Sequence, residues 1–198
     1  MSDEPKATLT RYLHQTREAL LSKVDGLSER DARLPRTPTG TNLAGIVKHC
    51  ANVEIGYFGE TFGRDWPDPD DPCFVSVDDF DADPQVDWYL PADVPVAALL
   101  DFYRRVWAFA DRTIEELGLD AVGSPPWWGP PEDNRVTLHH MLVRVLADLA
   151  QHTGQADILR EGIDGAVGWH GDNDSLPEGV DWPAYVARLT AIAESFPA

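Results

Sequence analysis

A carboxylate and an imidazole stand four residues apart at Asp148 and His152, within LADLAQHTGQADILRE. On a helix that spacing stacks them one turn apart, roughly 6 Å along the axis, so their side chains can converge on one point. A divalent cation suits that point, because imidazole nitrogen and carboxylate oxygen are common ligands at about 2.0–2.2 Å. His49, in GIVKHCANVE, supplies a third donor from a separate helical stretch. Two histidines and one carboxylate leave coordination positions open, which is the character of a catalytic rather than a closed structural site. The same residues also fit a hydrogen-bonded interior histidine and an i, i+4 pair without any ion.

The element that must carry the pair is a helix over about Thr137–Gly162. Alternating steps of three and four trace Leu138, Met141, Val145, Asp148, His152, Gln155 and Leu159 along one face. The face starts and ends apolar, with polar groups between, and polar groups in a core cost several kcal/mol unless they find partners. His49 follows the same rhythm with Ile46 and Val53, on a helix capped by Thr41 or Asn42 and running to about Phe62. Two more helices are predicted from apolar spacing, at about Lys6–Val24 and Val94–Leu117, and a shorter one at about Pro183–Ser195. Glycines follow the first three long stretches as stop signals, at Gly26, Gly63 and Gly118. These four long helices predict an all-α four-helix bundle with long connections, as one domain over 1–198 with a C-terminal extension from about 166.

The other candidates are weaker. Glu54 lies five residues after His49 and fits either an acceptor for an imidazole N–H behind the metal or a surface carboxylate. His139 and His140 lie two turns or more before Asp148, too far to share its ion. His14 reads as structural and His170 as a loop residue. Cys50 points about 100° from His49 and reads as a small buried hydrophobe. Asp157 and Arg160 read as a salt bridge. Trp66, Trp88, Trp127 and Trp128 fit either a pocket mouth or loop packing. No GxSxG, GxxxxGK[ST] or GxGxxG precedes a helix, so hydrolase-triad and nucleotide chemistry have no support.

Composition narrows the partners. Sixteen basic against 34 acidic residues give a formal charge of −18. Phosphate backbones and anionic membranes require the opposite sign, so neither nucleic acid nor a membrane is expected. The connection from Asp65 to Asp93 contains no Lys or Arg, yet lacks the D-x-D-x-D-G spacing of a calcium loop. Its Trp66, Phe74, Phe80, Trp88 and Tyr89 predict that parts of it pack on the bundle. Two cysteines without a CxxC fit a cytoplasmic setting, and no stretch approaches the ~20 apolar residues of a membrane span.

TNLAGIVKHCANVEIGYFGETFG (residues 41–63) and LADLAQHTGQADILREGIDG (residues 146–165) resemble the DinB-like superfamily of bacterial four-helix proteins, in particular the actinobacterial branch related to mycothiol-dependent maleylpyruvate isomerase. In that branch a histidine on the second helix and an E-xxx-H pair on the last bundle helix hold zinc. The resemblance carries these roles to His49, Asp148 and His152, with Asp in place of the usual Glu and one methylene less of reach. Where many members have a further histidine, this chain has Gln155, which is placed to orient a metal-bound water. The isomerase also has a further C-terminal domain, where this chain has a short tail, so the resemblance does not extend to isomerase activity itself. It implies a metal-dependent thiol transferase, with zinc or nickel as cofactor and a low-molecular-weight thiol such as mycothiol as co-substrate. Metal-assisted hydrolysis and a non-enzymatic metal-binding stress-response bundle are the alternatives, and a homodimer is plausible for such a bundle.

Overall fold

The computed structural model describes residues 4–169 and 176–197, so His170 lies outside the described residues. The fold is all-α. Helix α1 (Pro5–Ser22) begins with Pro5 in its first turn, and the Glu4 carboxylate caps the amides of Lys6 and Ala7. A short α2 (Glu29–Arg33) follows. Helix α3 (Leu43–Glu54) starts at Asn42, whose side-chain oxygen accepts from the Gly45 amide at 2.7 Å. A short α4 (Val77–Ala82) has a Ser76–Asp79 capping box. Helices α5 (Val96–Glu116) and α6 (Leu138–Asp164) complete the bundle. Thr137 caps the start of α6, and Gly165, at φ 78°, ends it in the left-handed conformation that glycine adopts without penalty.

Helix α1 packs on α6, α6 on α3, and α3 on α5. An ion pair between Arg17 of α1 and Asp111 of α5 closes the ring. The core is the set of apolar stripes read from the sequence: Leu13 and Leu20 from α1, Ile46 and Val47 from α3, Leu99, Phe102 and Val106 from α5, and Leu138, Met141 and Val145 from α6, all essentially without solvent exposure. Each such aliphatic side chain contributes roughly 1.5–3 kcal/mol by leaving water.

Two features depart from the pattern of the sequence. The second bundle helix does not run as one α-helix to Phe62: after Glu54 it widens into a π-turn (Ile55–Gly59), then tightens into a 3₁₀ turn (Glu60–Phe62). The Thr61 hydroxyl donates to the Gly56 carbonyl at 3.0 Å, engaging an oxygen within the widened turn. The connection before α6 contains a two-residue antiparallel ladder, Val122–Gly123 with Val136–Thr137, enclosing a 3₁₀ turn at Pro126–Trp128. Helix α7 (Trp182–Glu194) forms where apolar spacing predicts it, and buries none of its side chains. Its Trp182, Tyr185, Val186, Leu189 and Ile192 form an apolar stripe that is 38–57% exposed.

Candidate metal centre

Helices α3 and α6 bring His49, Asp148 and His152 to one place, with one ligand atom from each lying within 4.8 Å of the others. Tetrahedral ligands at about 2.1 Å from an ion stand about 3.4 Å apart, so small rotamer shifts suffice to close the set on a cation. The group sits at the edge of the bundle. The line of α6 through Leu142, Leu149 and Ala156 is at most 2% exposed, while the side chains of His49, Asp148 and His152 retain 17%, 38% and 11% of their exposure. The seam predicted through Asp148 and His152 therefore runs from the core, at Leu138, Met141 and Val145, out to its rim at Asp148, where a ligand can arrive from solvent.

Each imidazole is oriented by a bond on its far nitrogen. His49 Nδ1 lies 2.6 Å from Asp87 Oδ2, and His152 Nδ1 lies 2.8 Å from Gln155 Oε1. Because these partners accept, the proton sits on Nδ1 and Nε2 of each ring keeps a lone pair for the cluster. The Asp148 carboxylate, 3.7 Å from His152 Nε2, completes a set of three electron-pair donors. Two neutral nitrogens and one carboxylate form the donor chemistry of a borderline-soft divalent ion such as zinc.

Asp87 and Trp88 come from the acidic connection, and three contacts dock them on α3. Lys48 Nζ donates to the Val86 carbonyl at 2.7 Å and Asn42 Nδ2 to the Trp88 carbonyl at 3.1 Å. Gly45 permits the approach, because a Cβ there would stand 1.9 Å from the Trp88 carbonyl oxygen. The Trp88 ring then stacks on His49, with centroids 4.0 Å apart and planes 18° from parallel. The same ring meets His152 edge-on at 5.4 Å. Asp87 is 3% exposed and its second oxygen has no hydrogen-bond partner among the described residues. The sequence reading left Asp87 without a role. Its one cue was an acid flanked by Val86 and Trp88 in an otherwise polar run.

Glu54 takes no part in the cluster. Five residues turn a helix by about 140° beyond a full revolution, so it leaves α3 on another side from His49. There it is fully buried, bound by Arg17 Nε at 3.0 and 3.1 Å and Nη2 at 2.5 Å, and by the Tyr103 hydroxyl at 2.8 Å. Burial, then the Glu54 charge, pushes the Tyr103 phenol well above its ordinary range, so it stays a donor.

The remaining candidates separate cleanly. Cys50 is buried, and burial followed by the charges of Asp148, Glu54 and Asp87 pushes its thiol well above the ordinary value, as suits a core residue. His14 pairs with Asp111 at 3.4 Å. Asp157 and Arg160 do not bridge each other: three residues apart, each finds a nearer partner, Asp157 in Lys23 at 2.7 Å and Arg160 in Asp164 at 2.8 Å. Trp66 lies in the core, edge-on to Phe102 and Phe109, rather than at a pocket mouth. Trp127 and Trp128 flank Tyr57 instead, beside a cleft of about 680 Å³ whose lining includes Thr137, His139, His140, Arg144 and Asp148. His139 and His140 therefore face this cleft and not the cluster. Among the described residues no helix is long and apolar enough to cross a membrane.

The family model described as mycothiol S-transferase matches residues 8–165, from the first turns of α1 to the end of α6. No curated protein matches the chain.

Proposed function

Since the chain belongs to the mycothiol S-transferase family, we propose that it is a divalent-metal-dependent thiol S-transferase, with His49, Asp148 and His152 as the metal ligands. The observation that carries this reading is the convergence of two lone-pair nitrogens and a carboxylate at the rim of the bundle. A bound zinc or nickel ion supplies the positive charge that favours thiolate over thiol, and so makes mycothiol a nucleophile near neutral pH.

The chain's own residues do the rest. Asp87 and Gln155 hold the two imidazoles with Nε2 inward, which fixes their geometry and raises their basicity. Trp88 covers one face of His49 and keeps water from that side. The cleft that reaches Asp148 has room for a small thiol and its electrophile together. Three protein ligands leave a coordination position to the substrate.

Two measurements test this. Protein purified without a metal-affinity tag should carry about one equivalent of transition metal, absent from His152→Ala. The loaded protein should then consume electrophiles only when mycothiol is present. Turnover without thiol would transfer the site to metal-assisted hydrolysis. Metal binding with no turnover across a broad electrophile panel would leave a metal-binding bundle.

A further inference from the structure

One cation beside the cluster is free of carboxylates. Arg17, Arg33, Arg36, Arg64, Arg105 and Arg160 are each paired with Asp or Glu. Arg144, like Arg104, Arg112, Arg135 and Arg188, has no ion-pair partner among the described residues, but it is the one of these that lines the cleft with Asp148. It sits over two aromatic rings instead, 5.0 Å from the centroid of Trp128 and 5.1 Å from that of Tyr57. A cation–π contact uses none of the guanidinium's N–H donors for a carboxylate, so they remain free to grip one with two parallel bonds.

The surroundings are built to hold this arrangement. The π-turn carries Tyr57, and Gly56 beside it has no Cβ, which would stand 2.8 Å from the Trp127 ring. Trp127 can therefore lie against the turn and meet Tyr57 edge-on at 5.2 Å. Trp128 also meets His140, which lines the cleft, at 6.4 Å. Trp127 and Trp128 keep 47% and 37% of their exposure, so both indoles remain partly open to solvent. Arg144 lies four residues before Asp148, about 6 Å along α6, and both line the one cleft.

We propose that Arg144, backed by Tyr57 and Trp128, is the anion-recognition point for the second substrate, a small planar electrophile that carries a carboxylate. The inference rests on the transferase reading for what happens next, but not for the binding itself. In the transfer step the thiol sulfur bonds to the electrophilic carbon and the leaving group departs with its electron pair, while the thiol proton passes to solvent. The carboxylate on Arg144 would hold that carbon toward the His49, Asp148 and His152 cluster, where the thiol would be held.

The test is calorimetric titration of the full chain, zinc-loaded and zinc-free, with 3-nitrobenzoate and its uncharged analogue 3-nitrobenzamide. The acid should bind about tenfold more tightly than the amide, the scale of a charge-assisted pair. Arg144→Gln should bring the acid down to the amide's affinity and Arg144→Lys should fall between, both with wild-type zinc content and near-UV dichroism. With mycothiol, 4-chloro-3-nitrobenzoate should outpace the intrinsically more reactive 4-chloro-3-nitrobenzamide in kcat/KM, and Arg144→Gln should abolish the acid's advantage. Equal binding of acid and amide, no binding of either, or an acid preference that survives Arg144→Gln would overturn the proposal, the last by placing the carboxylate on the metal or on His139 and His140. Failure to bind zinc would overturn the metal-centre reading instead, and the zinc-free titration would still decide Arg144.

Discussion

Two of the polar groups that helix α3 presents to its neighbours, Glu54 and His49, have surroundings that differ in kind. Glu54 meets Arg17 and Tyr103, so every group around it donates to it and the cluster closes on itself without solvent. His49 meets His152 and Asp148, and what converges there is a set of acceptors. The proton donors of that second cluster point outward, to Asp87 and Gln155. A buried charge with matched donors is part of the scaffold. Acceptors gathered without a donor leave room for a cation from outside.

The largest effect should come from breaking the closed cluster. Arg17→Met strands the Glu54 carboxylate in the core and should cost about 3–5 kcal/mol of stability. Denaturant unfolding would show it, and metal content per folded molecule should be unchanged. A loss near zero would mean the two clusters do not differ in this way. His152→Ala should do the converse, abolishing metal binding while the metal-free protein loses no more than about 2 kcal/mol. Metal analysis and thermal unfolding of the same sample separate the two.

Asp87→Asn should weaken metal affinity about 10- to 100-fold, because it removes the carboxylate that orients His49. Competition against a chelator of known affinity measures this, and an unchanged constant would demote Asp87 to a loop anchor. Gly56→Ala should displace the Trp127 ring and cost about 1–3 kcal/mol, visible in near-UV dichroism with metal binding intact. The last effect is confined to alkaline pH and concerns Cys73, 1% exposed, whose thiol is pushed up to about 12 by burial and then by Asp71. A thiol raised in the folded state holds its proton longer than in the unfolded chain, so it adds stability below its ordinary value of 9.0 that is lost as pH rises toward 12. Stability of wild type should fall more steeply over that interval than that of Cys73→Ala.

Much of this was legible in the sequence because helical spacing is local. The stripes of α1, α5 and α6 and the stacking of Asp148 over His152 follow from steps of three and four. Asp87 was not legible, since its role depends on a connection folding back across 38 residues to reach His49. Glu54 was ambiguous because Arg17 and Tyr103, which decide its surroundings, lie on other helices. The π-turn was hidden for a different reason. An apolar run such as IGYFG fits α and π equally, and a single residue of added width follows from packing against Trp127, not from composition.

The bare helix α7 divides the molecule in time as well as in space. Thirteen residues in water are too few for a helix to be more than marginal without tertiary support. Its backbone amides should therefore open by local fraying and exchange with heavy water early, whereas those at the centre of α6 should exchange only through opening of the bundle. The region that holds the candidate centre and the region beyond it would then keep two clocks.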